Sequence, residues 1–309
     1  MRAVRYHEYG DESVLLHEDA EQPTAGQGEV LVRVAATAFN PVDAAIRAGY
    51  LREVFPLSFP HVPGFDVAGT VAEVGDGVTG FRSGDQVIGF LPMNRDGAAA
   101  EYVVAPADVL VPAPQKVPLA DAAALPSAGL TAWQALHEHA ALEAGQRLLV
   151  NGAGGAVGGY AVQLAKDAGA HVLAVVGPGS ADRVGSYGAD RLIDRTRGPV
   201  VDAVDEPVDA VLNLAPIGPE DMASLVGRIR PGGVYVTTVP GGPAAPDGDV
   251  RVASMFVRSD AAQLAGLVGR VDAGQLQVWV HESLALGELA SVHARSARGE
   301  LGGKVVLVP

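Results

Sequence analysis

The sequence predicts an α/β protein in which a doubly wound parallel sheet domain is inserted in a barrel-like β domain. Three features carry that prediction. Residues 1–115 hold short strand-like runs separated by turn signals, the composition of a compact β domain. From about Leu119 onward strand-like runs alternate with helical ones, which implies parallel strands covered by helices on both faces. The chain then closes on Gly303-Lys-Val-Val-Leu-Val308, a strand expected to return to the first domain. The β domain is therefore expected over residues 1–118 and 260–309, and the parallel α/β domain over 119–259.

In the first domain, Glu29-Val-Leu-Val-Arg-Val-Ala35 and Val67-Ala-Gly-Thr-Val-Ala-Glu-Val74 have strand composition. Ala25-Gly26-Gln27-Gly28, Gly75-Asp76-Gly77 and Arg82-Ser83-Gly84-Asp85 mark turns. Residues 121–136 read as an alanine-rich helix interrupted at Pro126-Ser127-Ala128-Gly129. Strands are then expected over 147–151, 171–176, 209–214 and 233–239, with helices over 157–168, 180–187 and 221–228. The last part reads as a helix over 261–273, a short strand over 277–281, a helix over 286–297 and the closing strand. Pro240-Gly-Gly-Pro-Ala-Ala-Pro246 has the composition of a surface loop.

Composition removes several classes of function. A hydrophobic share of 48% beside 19% charged residues belongs to a folded chain. With 36 Asp and Glu against 22 Lys and Arg, the net charge of −14 speaks against a nucleic-acid or anionic-membrane partner. There is no cysteine, which excludes disulfides, thiolate catalysis, iron–sulfur clusters and cysteine-ligated zinc. No run reaches the length of a membrane span, and Met1-Arg-Ala-Val-Arg-Tyr-His-Glu8 lacks the apolar centre of a secretory signal, so a cytoplasmic protein is expected. His137 and His139 do not suggest a metal site, because positions i and i+2 of a helix face different ways. His61, just before Pro63-Gly64, is the one histidine expected near a cleft.

The most informative stretch is Arg147-Leu-Leu-Val-Asn-Gly-Ala-Gly-Gly-Ala-Val-Gly-Gly-Tyr160. An apolar strand stops at a glycine-rich turn, and a helical pattern follows. Ala153-x-Gly155-x-x-Gly158 is a dinucleotide-binding fingerprint with alanine in the first glycine's place. Gly155 would let the backbone approach a pyrophosphate, and Gly158 would let the helix pack closely. The helix N-terminus adds unpaired N–H groups and partial positive charge. Gly152, Ala153, Gly154, Gly155, Ala156, Val157 and Gly158 are thus candidate cofactor-binding residues. An NAD-binding chain carries an acidic residue about 20 positions on, but Val175-Val176-Gly177-Pro178-Gly179-Ser180 contains no carboxylate. Ser180 and Arg183 follow instead, with Tyr187 one helical turn later. Hydroxyl and cationic groups suit a ribose 2′-phosphate, so NADPH is the expected cofactor. The competing reading makes Ser180 a helix cap and Arg183 a solvated side chain. Asn213, Ala215 and Thr238 complete the candidate cofactor set.

Several stretches together resemble the medium-chain dehydrogenase/reductase superfamily: Asn40-Pro-Val-Asp43, Pro63-Gly-Phe-Asp-Val-Ala-Gly69, Gly84-Asp-Gln-Val-Ile-Gly89, Gly129-Leu-Thr-Ala132, the turn at 153–158 and Gly303-Lys-Val-Val306. Their order and spacing are similar to those of the zinc-free quinone oxidoreductases, the zeta-crystallin-like branch. Where zinc-dependent members carry a cysteine ligand this chain has Asn40, and where they carry the histidine of a Gly-His-Glu motif it has Phe65 followed by Asp66. The resemblance implies a Rossmann domain inserted in a GroES-like domain, no metal, and a homodimer formed by edge pairing of the nucleotide-binding sheets.

The resemblance also implies candidate catalytic residues, each with a simpler structural role beside it. Asn40 would lie in a cleft near the nicotinamide, yet Asn40-Pro41-Val42-Asp43 also has the pattern of a helix cap with Asp43 closing a capping box. Asp43 is a weaker candidate on the same segment. Tyr50 falls near a tyrosine lining the quinone pocket in relatives, or is a rim aromatic. Thr131, a candidate cofactor-binding residue, faces the nicotinamide in relatives, or simply begins a helix. The expected activity is NADPH-dependent reduction of a quinone or an α,β-unsaturated carbonyl. A biosynthetic enoyl reductase or reductive cyclase is the enzymatic alternative, and a non-catalytic NADPH-binding regulatory protein the other.

Overall fold

The computed structural model describes residues 1–243 and 249–309, so residues 244–246 of the expected surface loop lie outside the described residues. Contacts divide the chain into two units, residues 1–127 with 259–309 and residues 128–258. The first boundary falls later than the sequence reading at 118/119, because residues 119–127 pack with the first unit. Asp66 Oδ1 accepts the Ser127 N–H at 2.7 Å, which ties that segment to the β domain.

The first unit contains β1 (Arg2–Arg5), β2 (Leu16–Asp19), β3 (Glu29–Ala38), α1 (Pro41–Arg47), β4 (Asp66–Val74), β5 (Gln86–Phe90), β6 (Tyr102–Pro106), β7 (Leu110–Pro112) and α2 (Leu119–Ala122). Helix α3 (Pro126–Gln134) carries the chain into the second unit. The expected break in the 121–136 helix lies at residues 123–125, and Pro126 starts the new helix, the position a proline tolerates.

The second unit alternates β8 (Arg147–Asn151), α4 (Ala156–Asp167), β9 (His171–Val176), α5 (Ala181–Ser186), β10 (Arg191–Asp194), β11 (Val208–Asn213), α6 (Pro219–Val226), β12 (Ile229–Thr237) and β13 (Arg251–Ser254). All six strands pair in parallel, in the order β10-β9-β8-β11-β12-β13. Leu149, Leu173, Val175, Val211 and Tyr235 are buried in one cluster on this sheet. Burying each such aliphatic side chain contributes about 1.5–3 kcal/mol.

The chain returns to the first unit with α7 (Ala261–Ala273), β14 (Glu282–Ala285), α8 (Leu289–Ala297) and β15 (Val305–Val308). As expected for the closing strand, β15 pairs antiparallel with β3 and extends a sheet ordered β14-β15-β3-β4-β5-β7, with β6 also on β3. Val30, Val32, Val34, Val67, Val71 and Val87 fill its interior. The short strand expected over 277–281 forms instead at Glu282–Ala285. Trp279 lies against Gly303, and the ladder with β15 starts only after that ring, at Glu282 opposite Val305. Among the described residues no helix is long and apolar enough to cross a membrane.

Candidate functional site

In the second unit, β8 ends at Asn151 and the chain turns through Gly152, whose φ of +93° favours glycine. The sharp turn therefore falls one residue before Ala153. This lets alanine stand at the fingerprint's first position: it is fully buried, and its N–H donates to Val175 O at 3.1 Å. Gly155 is the N-cap of α4, and no side chain caps the helix, leaving first-turn N–H groups for a ligand. A Cβ on Gly155 would have only Gly152 O within 4 Å, at 3.4 Å, so the space above it is open. A Cβ on Gly158 would strike Gly152 O and lie 2.6 Å from Ala153 Cα. The turn is thus open at Gly155 and sealed at Gly158, a cradle that fits a pyrophosphate.

The neighbouring strand ends meet this turn. Leu214 N–H donates to Asn151 O at 2.9 Å and Thr238 N–H to Asn213 O at 3.3 Å. A Cβ on Gly152 would lie 3.4 Å from Ala215 N. Asn151 Nδ2 donates to Asn213 Oδ1 at 2.7 Å, while the buried Asn213 Nδ2 has no hydrogen-bond partner. These residues sit at the carboxyl ends of β8, β11 and β12, and between β8 and β11 the strand order reverses, the usual place for a ligand in such sheets.

The loop after β9 brings Ser180 over the turn. Its Oγ donates to Gly177 O at 3.1 Å, and a Cβ on Gly154 would lie 2.5 Å from it. Arg183 Nη2 donates to Gly154 O at 2.7 Å, and its guanidinium stands 5.9 Å from the Tyr187 ring centre. Tyr187 is buried against Gly159 of α4. Thr131 lies within α3 rather than at its start, and is buried. Sequence reasoning missed Arg195. Its N–H donates to Val176 O at 3.0 Å, and a Cβ on Gly177 would lie 3.5 Å from its Nε. Only the pairing of β10 with β9 brings it there.

In the first unit, Asn40 caps α1 through its backbone while Pro41 opens the helix. Asn40 N–H donates to Asp43 Oδ2 at 2.7 Å, one arm of the expected capping box. The Asn40 side chain also bonds beyond the box. Its Nδ2 donates to Asp66 Oδ2 at 2.9 Å and Ala38 O at 3.3 Å. Lys304 Nζ donates to Asn40 Oδ1 at 2.6 Å, Asp66 Oδ2 at 3.1 Å and Phe39 O at 3.3 Å. Ser127 Oγ donates to Asp66 Oδ2 at 2.7 Å and lies 3.0 Å from Asn40 Oδ1. Asp66 and Lys304 are both buried, a placement tolerable only because each charge is paired and hydrogen-bonded.

Asp43 is buried beneath this network, and burial pushes its carboxyl up to about 7 against the pull of the Asn40 N–H. Its Oδ1 has no hydrogen-bond partner, nor has His293 Nε2; both residues line one small interior cavity. Arg47 Nη1 lies 3.1 Å from His293 Nδ1. Arginine only donates, so Nδ1 accepts and Nε2 carries the proton. Burial, with Arg47 beside it, lowers His293 to about 3. Tyr50 stands apart from these groups, 84% exposed in the turn after α1. His61 is buried against the Tyr6 ring, 3.4 Å from Asp96 Oδ1. Phe65 is buried too. Among the described residues no three His, Asp or Glu side chains gather as a metal site.

Known proteins are similar to this chain. Residues 26–115 match the alcohol dehydrogenase GroES-like domain, and residues 187–307 match the zinc-binding dehydrogenase family. The chain is 36% identical to the chloroplast envelope quinone oxidoreductase homolog of Arabidopsis thaliana, over 100% of this chain and 98% of that protein. It is 33% identical to the chloroplastic quinone-oxidoreductase QR1 of Triphysaria versicolor, with the same coverage of 100% and 98%. The solved quinone oxidoreductase from Coxiella burnetii superposes with a TM-score of 0.90 at 27% identity, covering 100% of this chain and 99% of that one.

Proposed function

Because the chain belongs to the quinone oxidoreductase branch of the medium-chain dehydrogenase/reductase superfamily, we propose that it is an NADPH-dependent reductase of quinones or α,β-unsaturated carbonyls that works without a metal. The observation that carries this reading is the open, uncapped turn at Gly155, walled by Gly152, Ala153 and Ser180. Bound there, NADPH supplies a hydride. The turn and the α4 N-terminus hold the pyrophosphate, and Asn213, Ala215 and Thr238 line the adjoining strand ends. The chain's contribution is binding and orientation, which can supply roughly 7–11 kcal/mol of a barrier. Solvent protonates an enolate readily, so no strong general acid is required.

The donor set supports metal independence. The Asn40 amide oxygen already accepts from the Lys304 ammonium, and Phe65 offers no donor atom. On the substrate side we assign Tyr50 as a ring that a bound quinone covers, with Asn40 and Asp43 shaping the first unit's polar network. We further propose a homodimer through β13, the edge strand that pairs only with β12 among the described residues.

The test is a screen of quinones and enones followed by NADPH absorbance, with and without a strong chelator. Turnover that prefers NADPH to NADH and survives chelation is expected. Tight NADPH binding with no turnover across the panel would instead mark a non-catalytic NADPH-binding protein.

A further inference from the structure

We propose that the interior cavity beside α1 and α8 of the first unit is a binding site for one water molecule, which accepts from His293 Nε2–H and bridges it to Asp43 Oδ1. Both residues line the cavity, and both are buried, Asp43 at 3% exposure and His293 at 1%. Neither Asp43 Oδ1 nor His293 Nε2 has a hydrogen-bond partner in the protein. Buried polar atoms are seldom left bare, because each gave up its hydrogen bonds to solvent on folding. Two such atoms on one small cavity call for an occupant that bonds to both.

The neighbours decide which atoms are left over. Asp43 Oδ2 accepts the Asn40 N–H at 2.7 Å, so Oδ1 is the spare oxygen. His293 Nδ1 lies 3.1 Å from Arg47 Nη1 and accepts its hydrogen, which leaves the ring proton on Nε2. Arg47 is itself anchored, with Nε donating to Gly10 O at 3.2 Å. The Phe39 ring packs edge-on against the imidazole, with centres 4.8 Å apart. Phe39, Ala99, Leu289 and Leu307 give the cavity apolar walls, and the Thr37 hydroxyl already donates to Asp66 O at 2.7 Å. The occupant therefore meets one N–H donor and one carboxyl oxygen. A bare cation has no lone pair for the N–H, and an anion has no hydrogen for the carboxylate. Water meets both, and it suits either state of Asp43, donating to the carboxylate or accepting from the acid. The cavity has about 10 Å³ of room for a water-sized sphere, about what one water needs and too little for an organic ligand.

High-resolution X-ray or neutron diffraction from crystals of the full chain tests this directly. One solvent site is expected at about 2.5–3.2 Å from both His293 Nε2 and Asp43 Oδ1, with neutron density for the ring hydrogen on Nε2. An empty cavity, an ion in place of the water, or a direct bond between Asp43 and His293 would overturn the assignment. In solution, oxygen-17 relaxation dispersion of the solvent counts waters held inside the protein. His293→Phe keeps a ring but removes the donor, so its dispersion amplitude should fall below wild type by the share of one water. Equal amplitudes for wild type and a His293→Phe variant shown to be folded by its melting transition would mean that no water is held there. If His293→Phe does not fold, the wild-type diffraction result decides alone.

Discussion

The Lys304 ammonium donates to Asn40 Oδ1 at 2.6 Å, joining residues 264 positions apart and fixing which way the Asn40 amide faces. With its oxygen on the ammonium, both amide hydrogens are spent on Asp66 Oδ2 and Ala38 O. Asn40 therefore serves as the centre of a polar network as well as the N-cap of α1. The ion pair of Asp66 with Lys304 beneath it holds the cap segment, the start of β4 and the return strand in one polar cluster.

Removing one charge of that pair should be costly. Lys304→Met leaves a buried Asp66 carboxylate without its cation, an effect of about 3–5 kcal/mol. The double variant Lys304→Met/Asp66→Asn should recover a large part of the loss. Urea unfolding of wild type, both single variants and the double variant measures the coupling. A loss below about 1 kcal/mol in Lys304→Met would show that the pair does not carry the network.

Asp43 and His293 should pull stability in opposite directions with pH. Burial raises Asp43 from 3.8 to about 7, so between those values the folded state keeps a proton the unfolded state has lost, and stability falls as pH rises. His293 is lowered from 6.5 to about 3, so the folded state refuses a proton the unfolded state takes, and stability falls as pH drops from 6.5. Over about pH 4–6.5 the two slopes, each about 1.4 kcal/mol per pH unit, oppose one another. Asp43→Asn uncovers the His293 slope, and its stability should fall more steeply than wild type's on going from pH 7 to pH 5. Parallel urea-unfolding profiles for the two proteins would contradict this.

Gly155→Val should fold and lose the dinucleotide. The residue has φ −79° and ψ 177°, a conformation valine adopts, and a Cβ there meets only Gly152 O at 3.4 Å. A stability loss of about 1 kcal/mol is expected from a poor N-cap. Binding of both NADPH and NADH, read by calorimetry, should be abolished. Undiminished binding would place the pyrophosphate elsewhere.

Tyr50→Ala separates substrate contact from folding. At 84% exposure the ring contributes little to stability, so the melting temperature should be unchanged. Losing an aromatic contact to a quinone should raise KM about two- to tenfold with kcat nearly constant. An unchanged KM removes Tyr50 from the substrate surface.

What could be read from the sequence was set by range. The β8–α4 unit is local: an apolar run, a glycine turn and a helical stripe lie within twenty residues, and all three formed as expected. Even there, the left-handed position fell on Gly152, a shift that only backbone torsions reveal. The closing strand was legible because Val305–Val308 is an uninterrupted apolar run. The strand at Glu282–Ala285 was not, since its composition is unremarkable and pairing with β15 creates it. Asp66, Ser127 and Lys304 each sit in recognisable segments, but their meeting at Asn40 spans 26, 87 and 264 positions. Arg195 was hidden for the same reason, as its place depends on strand register rather than on any motif.

The most direct measurement follows the hydride itself. The chain, treated exhaustively with chelator, is incubated with NADPH deuterated at both C4 positions and a simple cyclic enone, and the saturated product is analysed by mass spectrometry and NMR. One deuterium per product molecule at the carbon β to the carbonyl, formed at the same rate as in untreated protein, is the predicted result. Product without deuterium, or turnover that stops on chelation and returns with zinc, would contradict metal-free reduction by NADPH.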